Sequence, residues 1–344
     1  MLKPWPRHSG EHVWIHAVGS MRPRGDPTGG KFFRTGCWRG TQAVDTMQGK
    51  RVSHAKTRSS PRKPFLVGEL RGAERPKGSP PGEADPVPRT GLRKRTAMLI
   101  ITADDYGKAP NVTEGILKCF SEKRITSASA MVFMDDSKRA ASLAISAGME
   151  VGLHLNFTSP FDGSGFGEGL RRHQTKVMNY LVRNKLSQVF YNPFLTNSFA
   201  YLTQAQREEF QRLYGREPAF YNGHHHMHLC ANVLGTNLIP RGVRVRRTFT
   251  FGPGEKGTIN RSYRRVLDRI VGMRFITSDC FFSVEPVHDH GRLERIFNRA
   301  GRDIVEIEVH PENGDEKGFL LSSDFGQLLR RVCLGTFGLL HRRS

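Results

Sequence analysis

The sequence predicts an α/β fold: a closed or nearly closed β/α barrel of about seven parallel strands, TIM-barrel-like. Two observations carry this. From Met98 onward, seven short apolar runs alternate with segments of helical period, and strands separated by helices pair in parallel through right-handed crossovers. Several of those runs end in Asp or His, and in a β/α barrel such C-terminal strand ends all open on one face. No Gly-rich phosphate loop follows the first strand, so nucleotide binding has no support.

The first strand is the run Leu99-Ile100-Ile101, which leads into the adjacent carboxylates Asp104 and Asp105 and then Gly107. Side chains alternate along an extended chain, so the two acids point in different directions, one suited to a metal and the other to a proton. Asn111 to Glu114 has the spacing of a capping box, with Asn in place of Ser or Thr, and opens a helix striped by Val112, Ile116, Leu117 and Phe120. A strand at Ala130–Met134, a helix over 136–146 and a strand at Val151–Asn156 follow. Beyond a Gly- and Phe-rich loop lie two helical stretches, the second opened by Thr203 with Gln206 and stopped by Gly215. Further strands are expected at Ala219–Asn222, Val243–Arg246, Arg274–Thr277 and Ile304–Val309, with helices near 231–238, 263–271 and 292–299 between them.

Charge and composition divide the chain at Met98. Of the net charge of +21, roughly +13 precedes Met98, in a stretch with about eleven of the nineteen prolines and no sustained apolar periodicity. Such a stretch cannot bury enough apolar surface to offset its ordering entropy, so residues 1–97 are expected to be a disordered basic extension and 98–344 the folded domain. Met98 stands directly before the first credible strand and fits a natural start, the upstream part then being non-coding sequence read in frame. Nucleic-acid binding through the basic arm is the weaker alternative. Five widely spaced cysteines with no CxxC pair fit neither a disulfide framework nor a cysteine zinc site, and no apolar run reaches the length of a membrane span. A soluble, reducing, cytoplasmic setting is expected, and a homodimer is left open.

Four strand ends carry reactive groups: Asp104/Asp105, His154, the cluster His224 to His228, and His310. An Asp with two His is a familiar ligand set for a catalytic divalent metal that leaves room for water and substrate. His154 between two leucines would also suit a core histidine, and the cluster could be a surface chelator. Alternation sets His224, His226 and His228 on one side and His225 on the other, with His224 nearest the strand end. Glu306, four residues before His310, shares its strand face and would hold the imidazole as a proton donor and acceptor. Arg246, His226 and Glu306 are expected on the substrate side.

Taken together, Thr-Ala-Asp104-Asp105-Tyr-Gly, Thr126-Ser127-Ala128-Ser129, Gly152-Leu153-His154-Leu155-Asn156, Asn222-Gly223-His224-His225-His226-Met227-His228 and Glu306-x-x-x-His310-Pro311 resemble the YdjC-like carbohydrate deacetylases. The resemblance covers about residues 98–335 in the family's order. It implies a β/α barrel related to polysaccharide deacetylases, and a magnesium or zinc ion held by Asp105, His154 and His224. It also implies Asp104 as the water-activating base and His310 as proton donor to the leaving amine. Many members have Asp where this chain has Asn222, which bears on a carboxylate behind the metal ligands. The implied activity is removal of acetyl from an N-acetylated amino sugar. Hydrolysis of another ester or phosphoester bond is the alternative within enzymes, and a non-enzymatic sugar-binding barrel the alternative outside them.

Overall fold

The computed structural model describes residues 96–252 and 255–342, so the expected disorder of residues 1–97 lies, but for its last two positions, outside the described residues. In chain order the elements are β1 (Met98–Tyr106), α1 (Pro110–Ser121), β2 (Ser127–Ala130), α2 (Ser137–Ser146), β3 (Glu150–Leu155), α3 (Glu168–Leu181), α4 (Thr196–Tyr214) and β4 (Tyr221–Gly223). Then come α5 (Ala231–Leu234), α6 (Thr258–Arg274), β5 (Cys280–Ser283), α7 (His290–Ala300), β6 (Ile304–Val309), α8 (Gly314–Leu321) and α9 (Ser323–Leu329). The six strands form one sheet in the order β4-β3-β2-β1-β6-β5, every neighbouring pair parallel. The apolar run at Leu99–Ile101 thus became the central strand, buried along its whole length.

The architecture is a half-barrel of six strands, where seven and near closure were expected. Val243–Arg246 and Arg274–Thr277 do not become strands. They contribute only the isolated parallel bridges Tyr221↔Val245 and Arg244↔Ile276, because α6 runs on through Arg274 and Arg246 turns inward to pair with carboxylates. The fifth strand is instead the short buried run Cys280–Ser283. The second strand lies at Ser127–Ala130, just ahead of its expected place. Asn111 does not cap α1, which has Ala109 at its N-cap and Pro110 in its first turn. Thr203 and Gln206 lie inside α4, the former donating back to Phe199 O at 2.8 Å, while Gly215 ends the helix at φ +64° as expected. No helix among the described residues is long and apolar enough to cross a membrane.

Alternation along the strands gives the sheet two unlike faces. Leu99, Ile101 and Ala103 of β1 and Val305, Ile307 and Val309 of β6 belong to the large core under the helices. The concave face is split along its height. At the strand starts Met98, Ile100 and Ile304 pack with Phe220, Phe337 and Leu340 in a small second core. Toward the strand ends the same face turns polar, with Thr102, Asp104, Ser129, Glu306 and Glu308 all buried. The C-terminal segment plugs the apolar end: Glu150 accepts from Phe337 N at 2.7 Å and Gly338 N at 2.8 Å, and Arg244 donates to Gly338 O at 2.9 Å.

This plug leaves no room beside β3. An ideal Cβ on Gly152 would lie 2.6 Å from the Phe220 ring, which itself stacks on Phe337 with centroids 3.9 Å apart. Gly152→Ala is therefore expected to destabilise the fold by about 1–3 kcal/mol through overpacking. Urea unfolding checks this, and an unchanged midpoint would mean that the Phe220–Phe337 stack gives way freely.

Candidate metal centre

The site begins at a break in β1. Pairing with β2 shifts register between Ala103 and Tyr106, and Asp105 sits in the left-handed region at φ +65°, a conformation Asp tolerates better than most side chains. The two neighbouring carboxylates therefore meet different partners. Asp105 Oδ1 lies 3.1 Å from His154 Nε2 and 2.9 Å from His224 Nδ1, while Oδ2 accepts from Lys108 Nζ at 2.7 Å. All three residues are buried, and each offers a ligand atom within 4.8 Å of the others'.

Behind this triad a hydrogen-bond chain sets the state of His154. Asn222 Nδ2 donates to Asp104 Oδ1 at 3.1 Å, which turns the amide oxygen toward His154 Nδ1, 2.8 Å away. Ser129 Oγ also lies 2.8 Å from that nitrogen and donates to the same amide oxygen. The proton of His154 is thereby assigned to Nδ1, and Nε2 presents a lone pair to Asp105. A buried carboxylate oxygen, without a hydrogen bond of its own, then faces a lone pair. This is the donor set a divalent cation completes. Burial pushes the Asp105 carboxyl up, but the attraction of His224 and Lys108 outweighs it and holds the group well below the ordinary carboxylate range.

Asp104 meets a different partner, the buried guanidinium of Arg246. Arg246 Nη1 and Nη2 both donate to its carboxylate, Nη2 at 3.0 Å to Oδ1. The same side chain donates from Nε to Glu306 Oε1 at 2.6 Å and from Nη1 to Glu308 Oε2 at 3.2 Å, with Phe281 beneath it at 4.7 Å. Burial pushes Asp104 up, yet Arg246 together with His154 and His310 keeps its carboxyl below the usual value. Arg246 and Glu306 are fully buried, so neither faces substrate as expected; each is committed to the other inside the half-barrel. Burial raises Glu306, the attraction of Arg246 notwithstanding.

The histidine cluster does not alternate. β4 ends at Gly223, and residues 224–229 form a 3₁₀ turn with φ of +52° at His225 and +58° at His226. The expected facing of His224, His226 and His228 therefore fails, because extended geometry stops one residue before the first of them. His225 stacks on His224 with centroids 4.0 Å apart and sets its Nδ1 3.0 Å from Thr158 Oγ1. His226 is half-buried, its Nε2 3.7 Å from Glu308 and its ring edge-on to Phe249. His228 is buried, donating from Nε2 to Arg246 O at 3.1 Å, and burial pushes its imidazole down to about 3, so it is neutral.

His310 follows β6, half-buried, but its carboxylate partner is Glu316 and not Glu306. Glu316 Oε2 accepts from His310 N at 2.6 Å and Oε1 lies 3.8 Å from Nδ1. Glu306 points along the sheet face at Arg246, whereas Glu316 reaches back from the first turn of α8, held by an Asn313 cap. Glu308, Lys108 and Glu316 escaped sequence reasoning, and Ser129 entered it only as part of a motif, with no role assigned. Only Lys108, three residues after Asp105, left a local signal.

Glu316 makes the region pH-sensitive. Burial pushes its carboxyl up to about 7, from an ordinary value of 4.5, so the folded chain keeps a proton that the unfolded chain releases. Its contribution to stability is full below about pH 4.5 and is lost as pH rises toward 7. Glu316→Gln is expected to flatten that decline. Urea midpoints of both proteins across this window decide it, and parallel slopes would assign the decline to another group.

The chain is similar to several known proteins. The mouse protein named carbohydrate deacetylase is 31% identical over 234 residues, 61% of this chain and 73% of that protein. The chitooligosaccharide deacetylase of Yersinia pestis is 27% identical over 139 residues, 40% of this chain, and the chain spans only 52% of that relative. Among solved structures, an Enterococcus faecalis protein described as a candidate cellobiose-phosphate cleavage protein superposes with a TM-score of 0.50 at 17% identity, covering 70% of this chain and 98% of that one, which shows a shared fold. Residues 98–330 match the family model described as YdjC-like protein, and the chain accordingly belongs to the YdjC-like family.

Proposed function

We propose that this chain is a metal-dependent hydrolase that removes acetyl groups from N-acetylated amino sugars. One observation carries the reading: in a member of a family whose similar relatives are named carbohydrate deacetylases, a buried Asp105 oxygen without a hydrogen bond faces the lone pair of His154 beside His224. These three side chains would hold a divalent cation, magnesium or zinc, which when bound polarises a carbonyl and lowers the pKa of water.

The chain's own groups then divide the proton work. Water adds to the acetyl carbon and the C–N bond breaks, leaving acetate and a free amine. Asp104 takes the proton of the attacking water. Its pairing with Arg246 keeps it ionised at neutral pH and fixes its orientation, since two guanidinium nitrogens and the Asn222 amide hold the carboxylate. His310, half-buried and within electrostatic reach of Asp104, gives the departing nitrogen its proton. Arg246 and Glu306 act as positioning residues from below. His226, half-buried at the rim between Glu308 and Phe249, remains the substrate contact among the three expected there.

Asp104 and Asp105 provide the test. Asp105→Asn is expected to lose both metal and activity, because a neutral amide oxygen is a poorer ligand for a hard cation. Asp104→Asn is expected to keep metal while turnover on short chitooligosaccharides falls about 10²–10⁴-fold. Metal content and acetate release measured on the same two preparations separate the roles; a metal-free Asp104→Asn with a loaded Asp105→Asn would reverse them.

His225 supplies a second comparison. His154→Ala and His224→Ala are each expected to abolish metal binding in a calorimetric titration, whereas His225→Ala, which loses a ring stack and a Thr158 contact, weakens it only modestly. Equal loss in all three would make the cluster a chelating patch. Chelation of the wild-type protein is expected to stop acetate release, and added divalent metal to restore it.

A further inference from the structure

A second polar site lies on the other side of β5. Phe281 points into the half-barrel against Arg246, so its neighbour Phe282 points out, toward α7. There a cavity of about 480 Å³ opens between α7 and the segment around Thr250–Gly252, a volume suited to a small organic ligand. Arg292, Arg295 and Arg299 recur at helical spacing along one side of α7, Arg302 follows just past its end, and all four line this cavity. The opposite side of α7 is committed to the core through Leu293, Phe297 and Ala300, and buried Ile296 borders the cavity.

The charges in the cavity are not balanced from within. Arg292 donates to Ser283 O at 2.8 Å and Val284 O at 3.4 Å, both neutral acceptors, and Arg299 pairs with Asp303 at 2.8 Å. The side chains of Arg295 and Arg302 form no ion pair among the described residues, and Glu255 is the one carboxylate in the lining. A basic last turn also suits the dipole of a helix, and a solvated face would need no ligand. A solvated face does not border a cavity lined by Phe251 and Phe282, however, and burial, with a smaller push from Arg295, lowers the Arg292 guanidinium against the attraction of Glu255 and Asp289. Guanidinium forks match phosphate oxygens, and the aromatic lining matches a ring or other apolar body.

We propose that the cavity between α7 and Thr250–Gly252 binds a small organic phosphate, its phosphate on the α7 arginines and its body against Phe282, beside a Phe251 ring that Arg264 and Lys256 already face. The site is separate from the metal centre, on the opposite face of β5, and stands whether or not the chain deacetylates sugars.

Calorimetric titration of the full chain with inorganic phosphate, adenosine monophosphate and glucose 6-phosphate tests it, the last two distinguishing a nucleotide from a sugar source. At least one organic phosphate is expected to bind tenfold or more tightly than inorganic phosphate. The paired change Arg295→Glu with Arg302→Glu is expected to weaken that binding at least tenfold. Arg172→Glu with Arg183→Glu, also exposed and outside the cavity, should leave it unchanged. Arg295→Gln with Arg302→Gln gives the same comparison without charge reversal should the first pair fold poorly. The proposal is overturned if no organic phosphate binds more tightly than inorganic phosphate, if the α7 variants bind like wild type, or if both pairs of exposed arginines weaken binding alike.

Discussion

Arg246 is the constraint on which the half-barrel depends. It is fully buried and engages Asp104 from β1 and Glu306 and Glu308 from β6, so one guanidinium ties the central strand to its neighbour from inside the concave face. Three carboxylates could not be buried at that height without it, because an ion removed from water must be paired. Arg246 arrives from a segment that would otherwise extend the sheet beyond β4. The inward pairing leaves that segment two isolated bridges, to Tyr221 and Ile276, where a strand was expected.

The same ion cluster separates the two jobs of the concave face. Below it, Ile100, Phe220 and Phe337 form a dry plug closed by the C-terminal segment. Above it, Asp105, His154 and His224 meet at the strand ends. Asp104 belongs to both layers, clamped from below by Arg246 and joined through Asn222 to His154. An amide suits position 222 better than a carboxylate here, since it accepts from the imidazole and donates to Asp104 at once; an aspartate would face Asp104 as a like charge.

The break in β1 gives the paired acids their different surroundings. In an unbroken strand Asp105 would turn toward the helices, where its neighbours Ala103 and Val309 pack in the apolar core. The register shift and the positive φ at Asp105 bring it back to the rim beside two histidines, at the cost of local backbone strain. A surrounding network that includes Lys108, His154 and His224 holds that conformation in place.

The sequence by itself determined the α/β alternation, the central strand at Leu99–Ile101, and the acids and histidines at its C-terminal ends. The choice of Asp105, His154 and His224 as the metal set came from the resemblance to the YdjC-like family. The strand pattern and its reactive ends are legible because an apolar run and the residue that terminates it are local features, and parallel strands separated by helices send their ends to one face. Tertiary structure alone decided the number of strands, the turn through His225 and His226, and the partners of the charged groups. Arg246 and Asp104 lie 142 residues apart, and Glu316 reaches His310 from the following helix and not from the strand face that Glu306 shares. Which carboxylate a buried arginine or a histidine meets depends on long-range packing and burial, and neither leaves a periodicity in the chain.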